Sequence, residues 1–431
     1  MATGQRFVVE QIVASGTFGS VCRVRDALAG QTVAAKVLKV EHIDNPRVVA
    51  RTRDEASLLA RLDHPNIVRV RELVEIHDRP VLLMEWIDGL NLEQVLSRVV
   101  GGLPPAVAMT AVRDVSDALH CAHVWLDAST GEQMSVIHRD IKPSNILLSA
   151  AGVFKLVDFG TATGRFAGRE SETLSMVLGA RGYTAPERLD GGSDLPTSDV
   201  YSLGHVLFEL LTGQPLQLSL HPFHHKKMLD VALADLTLRG EPVGLTQDVR
   251  RLIERMVAYE SGQRLGHREV AGHLRGLLAL IRNKVDIADF AKEVVHPAIA
   301  SQLTREPRRH PAWNEVRFLE GEPPMTADDL VREFLGRPDW MRAEVDLHRL
   351  LMRNPGWSPQ PFLERLAQSS RSWWRFWAPQ QLNSDETGIL LRALALRPDG
   401  RVTREVEGLL GATASPLRRL AREILGASGR A

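Results

Sequence analysis

A polar loop, His138-Arg139-Asp140-Ile141-Lys142-Pro143-Ser144-Asn145, runs into two short apolar stretches, Ile146-Leu147-Leu148 and Phe154-Lys155-Leu156-Val157, and then into Asp158-Phe159-Gly160. Short apolar runs bounded by polar and turn residues read as strands. The chain must therefore fold so that both polar clusters are presented at strand ends. The clusters are chemically specific. A hydroxyl that attacks a phosphoryl group needs a carboxylate to orient or deprotonate it, a cation beside the phosphate, and oxygen donors for Mg²⁺. Asp140 is the candidate base, Lys142 the cation, and Asn145 with Asp158 the metal ligands.

Other segments fit the same chemistry. Val13-Ala14-Ser15-Gly16-Thr17-Phe18-Gly19-Ser20-Val21 has the form of a glycine-rich hairpin, a weak signal by itself. Val33-Ala34-Ala35-Lys36 follows as a strand, and residues 51–61 have helical periodicity with Glu55 among them. Further on come His64-Pro65-Asn66-Ile67-Val68, Ala185-Pro186-Glu187 and the run from Asp199 to Gly204. Together these motifs resemble the eukaryotic-type serine/threonine protein kinases, over roughly two-thirds of the chain.

The resemblance implies an α+β, two-lobed protein kinase fold over residues 1–284, with an antiparallel β N-lobe and a mostly helical C-lobe. It implies that Lys36 holds the α- and β-phosphates of ATP and pairs with Glu55. Phosphates are expected under Val13, Ala14, Ser15, Gly16 and Gly19. Adenine is expected between Val21, Ala34 and Leu147, against the backbone of Glu85 and Ile87, with Met84 as gatekeeper and Asn91 at the ribose. Asp199 would anchor the catalytic loop, and Arg264 would pair with Glu187 to hold the substrate-binding segment. Arg139 would meet a phosphate on the activation segment, where Thr161, Thr163, Ser171, Thr173 and Ser175 are available and Thr173 or Ser175 is favoured.

The sequence departs from the family in several places. Ala14 replaces the first glycine of the hairpin, a methyl that β backbone accommodates. Ala180 stands where serine/threonine kinases carry a threonine whose hydroxyl bonds the catalytic Asp and Lys, whereas Lys142 itself is typical of that class. Asp127 to Ser135 is an insertion before the catalytic loop, polar and turn-rich, and is expected as a surface loop.

Lysine plus arginine and aspartate plus glutamate both total 53 in 431 residues, so no global field attracts nucleic acid or an anionic membrane. Cys22 and Cys121 are expected as separate buried thiols. There is no cationic apolar leader and no run long enough to span a bilayer. Val270 to Ile281 is broken by His273 and Arg275 and reads as a C-lobe helix. A cytoplasmic location is expected. His221, His224 and His225 lack regularly spaced partner ligands and read as a surface loop.

Residues 285–312 read as a helix disturbed at Pro297 followed by a proline-bounded linker, and residues 313–431 as an all-α domain of unknown role. Ser358-Pro359 and Ser415-Pro416 look like caps with proline at the first helical position. Six of the eight tryptophans lie in this tail. The run from Arg371 to Trp377 interleaves cations with aromatics in a manner suited to stacked bases or a membrane interface, but large aromatics more often fill cores and interfaces, so burial inside a small helical domain or against the C-lobe is expected. The tail is expected to dock a protein partner. The expected activity is ATP- and Mg²⁺-dependent transfer to Ser/Thr hydroxyls of protein substrates, including the chain itself. The alternative is a catalytically weak or inactive scaffold of the same fold.

Overall fold

The computed structural model describes residues 6–16, 19–39, 42, 46–77, 79–126, 131–159, 182–189, 194–302 and 316–320, with short pieces between 331 and 393. Its first part is a five-stranded antiparallel sheet built from β1 (Phe7–Ser15), β2 (Gly19–Asp26), β3 (Gln31–Leu38), β4 (Val70–Ile76) and β5 (Arg79–Glu85), in the order β1-β2-β3-β5-β4. Helix α1 (Pro46–Leu59) lies between β3 and β4 in the chain. Side chains alternate across the sheet. Ala34, Leu82 and Met84 face α1 and the C-lobe core, whereas Val33, Ala35, Val37, Val81 and Leu83 fill a separate apolar core on the other face.

A short sheet of β6 (Gly89–Asn91), β7 (Ile146–Ser149) and β8 (Phe154–Leu156) joins this lobe to the helical one. The second lobe is organised around α3 (Pro105–Val124) and α5 (Pro196–Thr212), both largely buried. Around them stand α2 (Leu92–Leu96), α4 (Pro186–Leu189), α6 (Pro222–Asp235), α7 (Val243–Met256) and α8 (His267–Leu280). The expected two-lobed α+β architecture is present. Among the described residues, no helix is long and apolar enough to cross a membrane.

Helix α9 (Ile287–Gln302), continuous through Pro297, does not leave the molecule. It buries Phe290, Ala291, Val295 and Ala298 in the same core as α3 and α5, and His296 contacts the Ala150 carbonyl at 3.1 Å. Gly152, at φ +80° in the β7–β8 turn, is needed here, since a Cβ would lie 2.7 Å from Ala288 Cα. The expected boundary at 284 thus falls before a helix packed in the core of the second lobe. Residues 316–320, expected in the separate tail, lie on the N-lobe sheet: Val316 and Phe318 are fully buried with Phe7, Val9 and Cys22. Ser358 does accept a bond from Gln360 N–H at 3.3 Å, as a cap should. The tryptophans of the tail lie outside the described residues.

Two local expectations need correction. The histidines at 221, 224 and 225 are not in a surface loop. His221 stands at the N-cap position of α6 without a side-chain cap bond, and His225 is buried, its ring nitrogens 3.1 Å from the Ser219 carbonyl and 2.8 Å from that of Val257. Packing of α6 against the end of α7 turns this ring inward. Cys22 is buried as expected, but Cys121 is only half-buried, because it lies near the outer side of α3. Of the insertion, residues 131–135 are described. They fold back on the end of α3 through Met134 N–H to Trp125 O (2.9 Å) and Gln133 Nε2 to His123 O (3.0 Å).

Candidate active site

The strand β3 carries Lys36 toward the cleft between the lobes, and α1 carries Glu55 beside it. Lys36 Nζ lies 2.9 Å from both Glu55 carboxylate oxygens and 2.8 Å from Asp158 Oδ1. Burial alone would push the ammonium's pKa down, but Asp158 and Glu55 outweigh it and hold the group above its ordinary range. Lys36 is therefore a permanent cation aimed into the cleft.

Below it the catalytic loop is held from three sides. Asp199, buried at the start of α5, accepts the backbone N–H groups of His138 (2.7 Å) and Arg139 (2.8 Å). Its burial is tolerable because both oxygens are bonded. The His138 ring stacks edge-on against Phe159, centroids 4.6 Å apart, and its Nε2 lies 3.2 Å from the Val157 carbonyl. Burial pushes the His138 pKa down. Arg139 and Asp158 both adopt positive φ, at 71° and 63°, so the chain turns sharply at each cluster.

Within the loop, Lys142 Nζ and Asn145 Nδ2 both donate to Asp140 Oδ2, at 2.8 and 2.9 Å. Asn145 Nδ2 also donates to Asp140 O at 2.8 Å. With Nδ2 so engaged, the Asn145 amide offers its oxygen as the ligand atom, and Asp158 offers a carboxylate on a half-exposed side chain. An amide oxygen and a carboxylate are hard donors of the kind Mg²⁺ prefers, so the residues fit that ion. Among the described residues no separate cluster of His, Cys, Asp and Glu suits a metal.

The residues expected at the nucleotide are placed by the two N-lobe hairpin strands, the hinge strand and the short second sheet. Ala14 pairs with Val21 in the β1–β2 register, and Gly16 N–H bonds Gly19 O at 2.9 Å, closing the hairpin. Thr17 and Phe18 lie outside the described residues. Gly19 must be glycine: a Cβ would sit 2.3 Å from the Val37 carbonyl of β3. Val13, Ala14, Ser15 and Gly16 are exposed at the cleft mouth. Ala34 stands opposite Met84 in register, and Asn91 opposite Leu147. Glu85 N–H is taken by Arg69 O at 2.9 Å, so its carbonyl is what it can offer at the cleft edge, beside Ile87. Asn91, the residue expected at the ribose, also caps α2: its Oδ1 accepts Gln94 N–H at 2.8 Å.

The Glu187–Arg264 pair forms with two parallel bonds of 2.7 and 2.8 Å around a fully buried guanidinium. Burial pushes the Glu187 carboxyl up, but bonds from Arg264 and Ser198 outweigh it and hold the group below its usual range. Arg139 pairs with Asp194, a contact that sequence reasoning did not anticipate. Arg188 shares the same carboxylate at 3.0 Å. Thr161, Thr163, Ser171, Thr173, Ser175 and Ala180 all lie outside the described residues. The lobes are tied by His64 to Val68: Asn66 Nδ2 bonds Phe154 O at 2.7 Å, and Leu156 N–H bonds Asn66 O at 2.8 Å.

Comparison with known proteins agrees with this geometry. The model of the protein kinase domain matches residues 7–274. The serine/threonine-protein kinase PrkC of Bacillus subtilis is 34% identical over 231 residues, covering 54% of this chain and 33% of that protein. PknB of Mycobacterium leprae is 36% identical over 214 residues, 49% of this chain and 33% of its own. PknA of Mycobacterium tuberculosis is 34% identical over 256 residues, 58% and 56% respectively. The chain thus spans about a third of the length of the first two of these relatives. The likeness rests on the segment that carries Lys36, Glu55, Asp140, Lys142, Asn145 and Asp158, and by it the chain belongs to the protein kinase family.

Proposed function

We propose that the chain is an ATP- and Mg²⁺-dependent serine/threonine protein kinase that phosphorylates protein substrates and itself. The observation that carries the proposal is the closed chain of contacts from Glu55 through Lys36 to Asp158, together with the Asp140 carboxylate held by Lys142 and Asn145. The bland alternative, an inactive scaffold, ordinarily loses one of these groups, and none is missing.

In this reading ATP lies under the β1–β2 hairpin at Val13, Ala14, Ser15, Gly16 and Gly19, its base between Val21, Ala34 and Leu147 and against Glu85 and Ile87. Lys36 steadies the α- and β-phosphates. Asn145 and Asp158 would hold Mg²⁺, whose contribution when bound is to offset negative charge on the phosphate oxygens. Asp140 accepts a hydrogen bond from the substrate hydroxyl, orients it in line, and receives its proton as the O–P bond forms and the bond to the ADP oxygen breaks. Lys142, bonded to Asp140, places positive charge beside the transferring group. Its presence supports Ser or Thr as acceptor. Thr173 and Ser175 are the proposed sites of self-modification. Residues 313–431 are proposed to dock a protein partner, and a cytoplasmic location belongs to the same reading, testable by cell fractionation.

The test is incubation of the full chain with labelled ATP and Mg²⁺, followed by phosphoamino-acid analysis. Label on serine or threonine supports the proposal. ATP binding without transfer would select the scaffold, and label on tyrosine alone would overturn the acceptor class.

A further inference from the structure

The five residues 316–320 complete the N-lobe, far in sequence from everything they touch. The β-sheet is curled so that its edge strands approach: Arg6, just before β1, reaches Glu72 of β4 at 2.7 Å. Phe318 and Leu319 lie at this seam and line a cavity of about 290 Å³ with Phe7 and Ile76. Glu320 Oε1 accepts Val9 N–H at 2.9 Å, on a strand paired only on its other side and irregular in register just after Val9. An edge strand covered in this way has lost an exposed donor.

The contacts lead directly to the nucleotide site. The Phe318 ring lies under the guanidinium of Arg79, 4.4 Å from centroid to Cζ. Arg79, 2% exposed, donates from Nη2 to the Leu38 carbonyl at 2.9 Å. Leu38 ends β3, two residues after Lys36, and stands opposite Gly19 in register. One packed ring therefore supports the strand end that fixes both the phosphate-binding lysine and the base of the glycine hairpin.

We propose that residues 316–320 are a positioning element of the nucleotide site, with Phe318 acting through Arg79 and β3 on Lys36 and Gly19. The chain beyond the kinase core thereby sets ATP affinity without touching ATP. This deepens the kinase reading and rests on it for its kinetic readout. A second readout is independent of activity: Cys22, fully buried on β2, belongs to the same apolar core as Phe318 and is shielded while that core is closed.

The experiment uses the full chain and compares wild type with Phe318→Ala, Phe318→Leu and Glu320→Ala. ATP affinity is measured by equilibrium binding and as KM, and Cys22 by maleimide labelling under native conditions in a Cys121→Ser background. Phe318→Ala should weaken ATP binding and raise KM about fivefold while kcat at saturating ATP stays within about twofold, because the loss falls on nucleotide positioning. Cys22 should become reactive in this variant and stay protected in wild type. Phe318→Leu should restore protection and most of the affinity. ATP affinity unchanged in Phe318→Ala, whether or not Cys22 is exposed, overturns the proposal, as does an equal fall in kcat. Should Phe318→Ala not fold, Glu320→Ala, which opens no core cavity, is judged by the same KM criterion. Wild-type chain that binds ATP without transferring phosphate would sink only the kinase reading. A wild-type chain that binds no ATP overturns both.

Discussion

The Arg139 guanidinium, one residue before Asp140, is paired with Asp194, which follows the Ala185-Pro186-Glu187 motif in the chain. Burial pushes the guanidinium below its ordinary range, Asp194 offsets part of that, and neighbouring Arg188 adds to it. A phosphate on Thr173 or Ser175 would have to compete with a carboxylate already in place. Asp194→Asn removes that anion, and a charge-assisted bond is worth about 1.5–3 kcal/mol. After phosphatase treatment the variant should be about tenfold slower than wild type treated identically, a difference of about 1.4 kcal/mol. Autophosphorylated variant should regain most of the rate. Equal rates after phosphatase would mean that Asp194 does not stand in for a phosphate.

Replacing Asp140 or Asp158 with Asn removes one charge and almost no volume. Each variant should fall by about 10²-fold or more in phosphate transfer, the scale of a positioned base or a metal-holding group. Thermal melts should stay close to wild type for Asp140→Asn. Wild-type turnover in either variant would show that the roles are wrongly assigned.

Acid should weaken the C-lobe through two buried histidines. Burial lowers His205 and His267 to about 3 from the ordinary imidazole value of about 6.5. Between these values the unfolded chain binds protons that the folded chain refuses, so their contribution is fully present above about pH 6.5 and is lost as pH falls toward 3. Each group accounts for about 1.4 kcal/mol per pH unit inside that window. Urea melts at pH 7.5 and 5.5 should show a smaller acid loss in His205→Gln and in His267→Gln than in wild type. Unchanged losses would mean that these rings take up protons while folded.

A chain ending at residue 284 should be poorly soluble, whereas one ending at 302 should fold with a weakened nucleotide site. The first cut removes Phe290, Ala291, Val295 and Ala298 from the core, and truncating one buried phenylalanine alone costs about 3–5 kcal/mol. Soluble yield and melting temperature distinguish the two. Equal stability would make α9 peripheral.

The contacts of the candidate site were legible in the sequence because they join short motifs at characteristic spacings. Lys36 with Glu55, Asp199 under the catalytic loop and Glu187 with Arg264 each connect one motif to another. Helix α9 was also readable from its apolar spacing, but its partner was not, since periodicity shows that a face is buried and never against what. Val316 to Glu320 carried still less signal: a few residues without period whose bond partner Val9 is 311 positions away. His225 was misjudged because three histidines in a polar run resemble a solvated loop, and only the packing of α6 turns one of them inward. Asp194 sits among turn residues where a carboxylate is unremarkable until Arg139 and Arg188 converge on it. The cap bond of Asn91 Oδ1 to Gln94 N–H is local and was not read from the sequence.

The placement of α9 and Phe318 makes the molecule doubly connected. One covalent path between the lobes is the short hinge after β5. The other leaves the C-lobe, passes Ala150 along α9, and re-enters the N-lobe at Val316. Lobe opening in such a ring is a motion of a closed linkage, whose second arm is fastened to β1 where Glu320 accepts Val9 N–H.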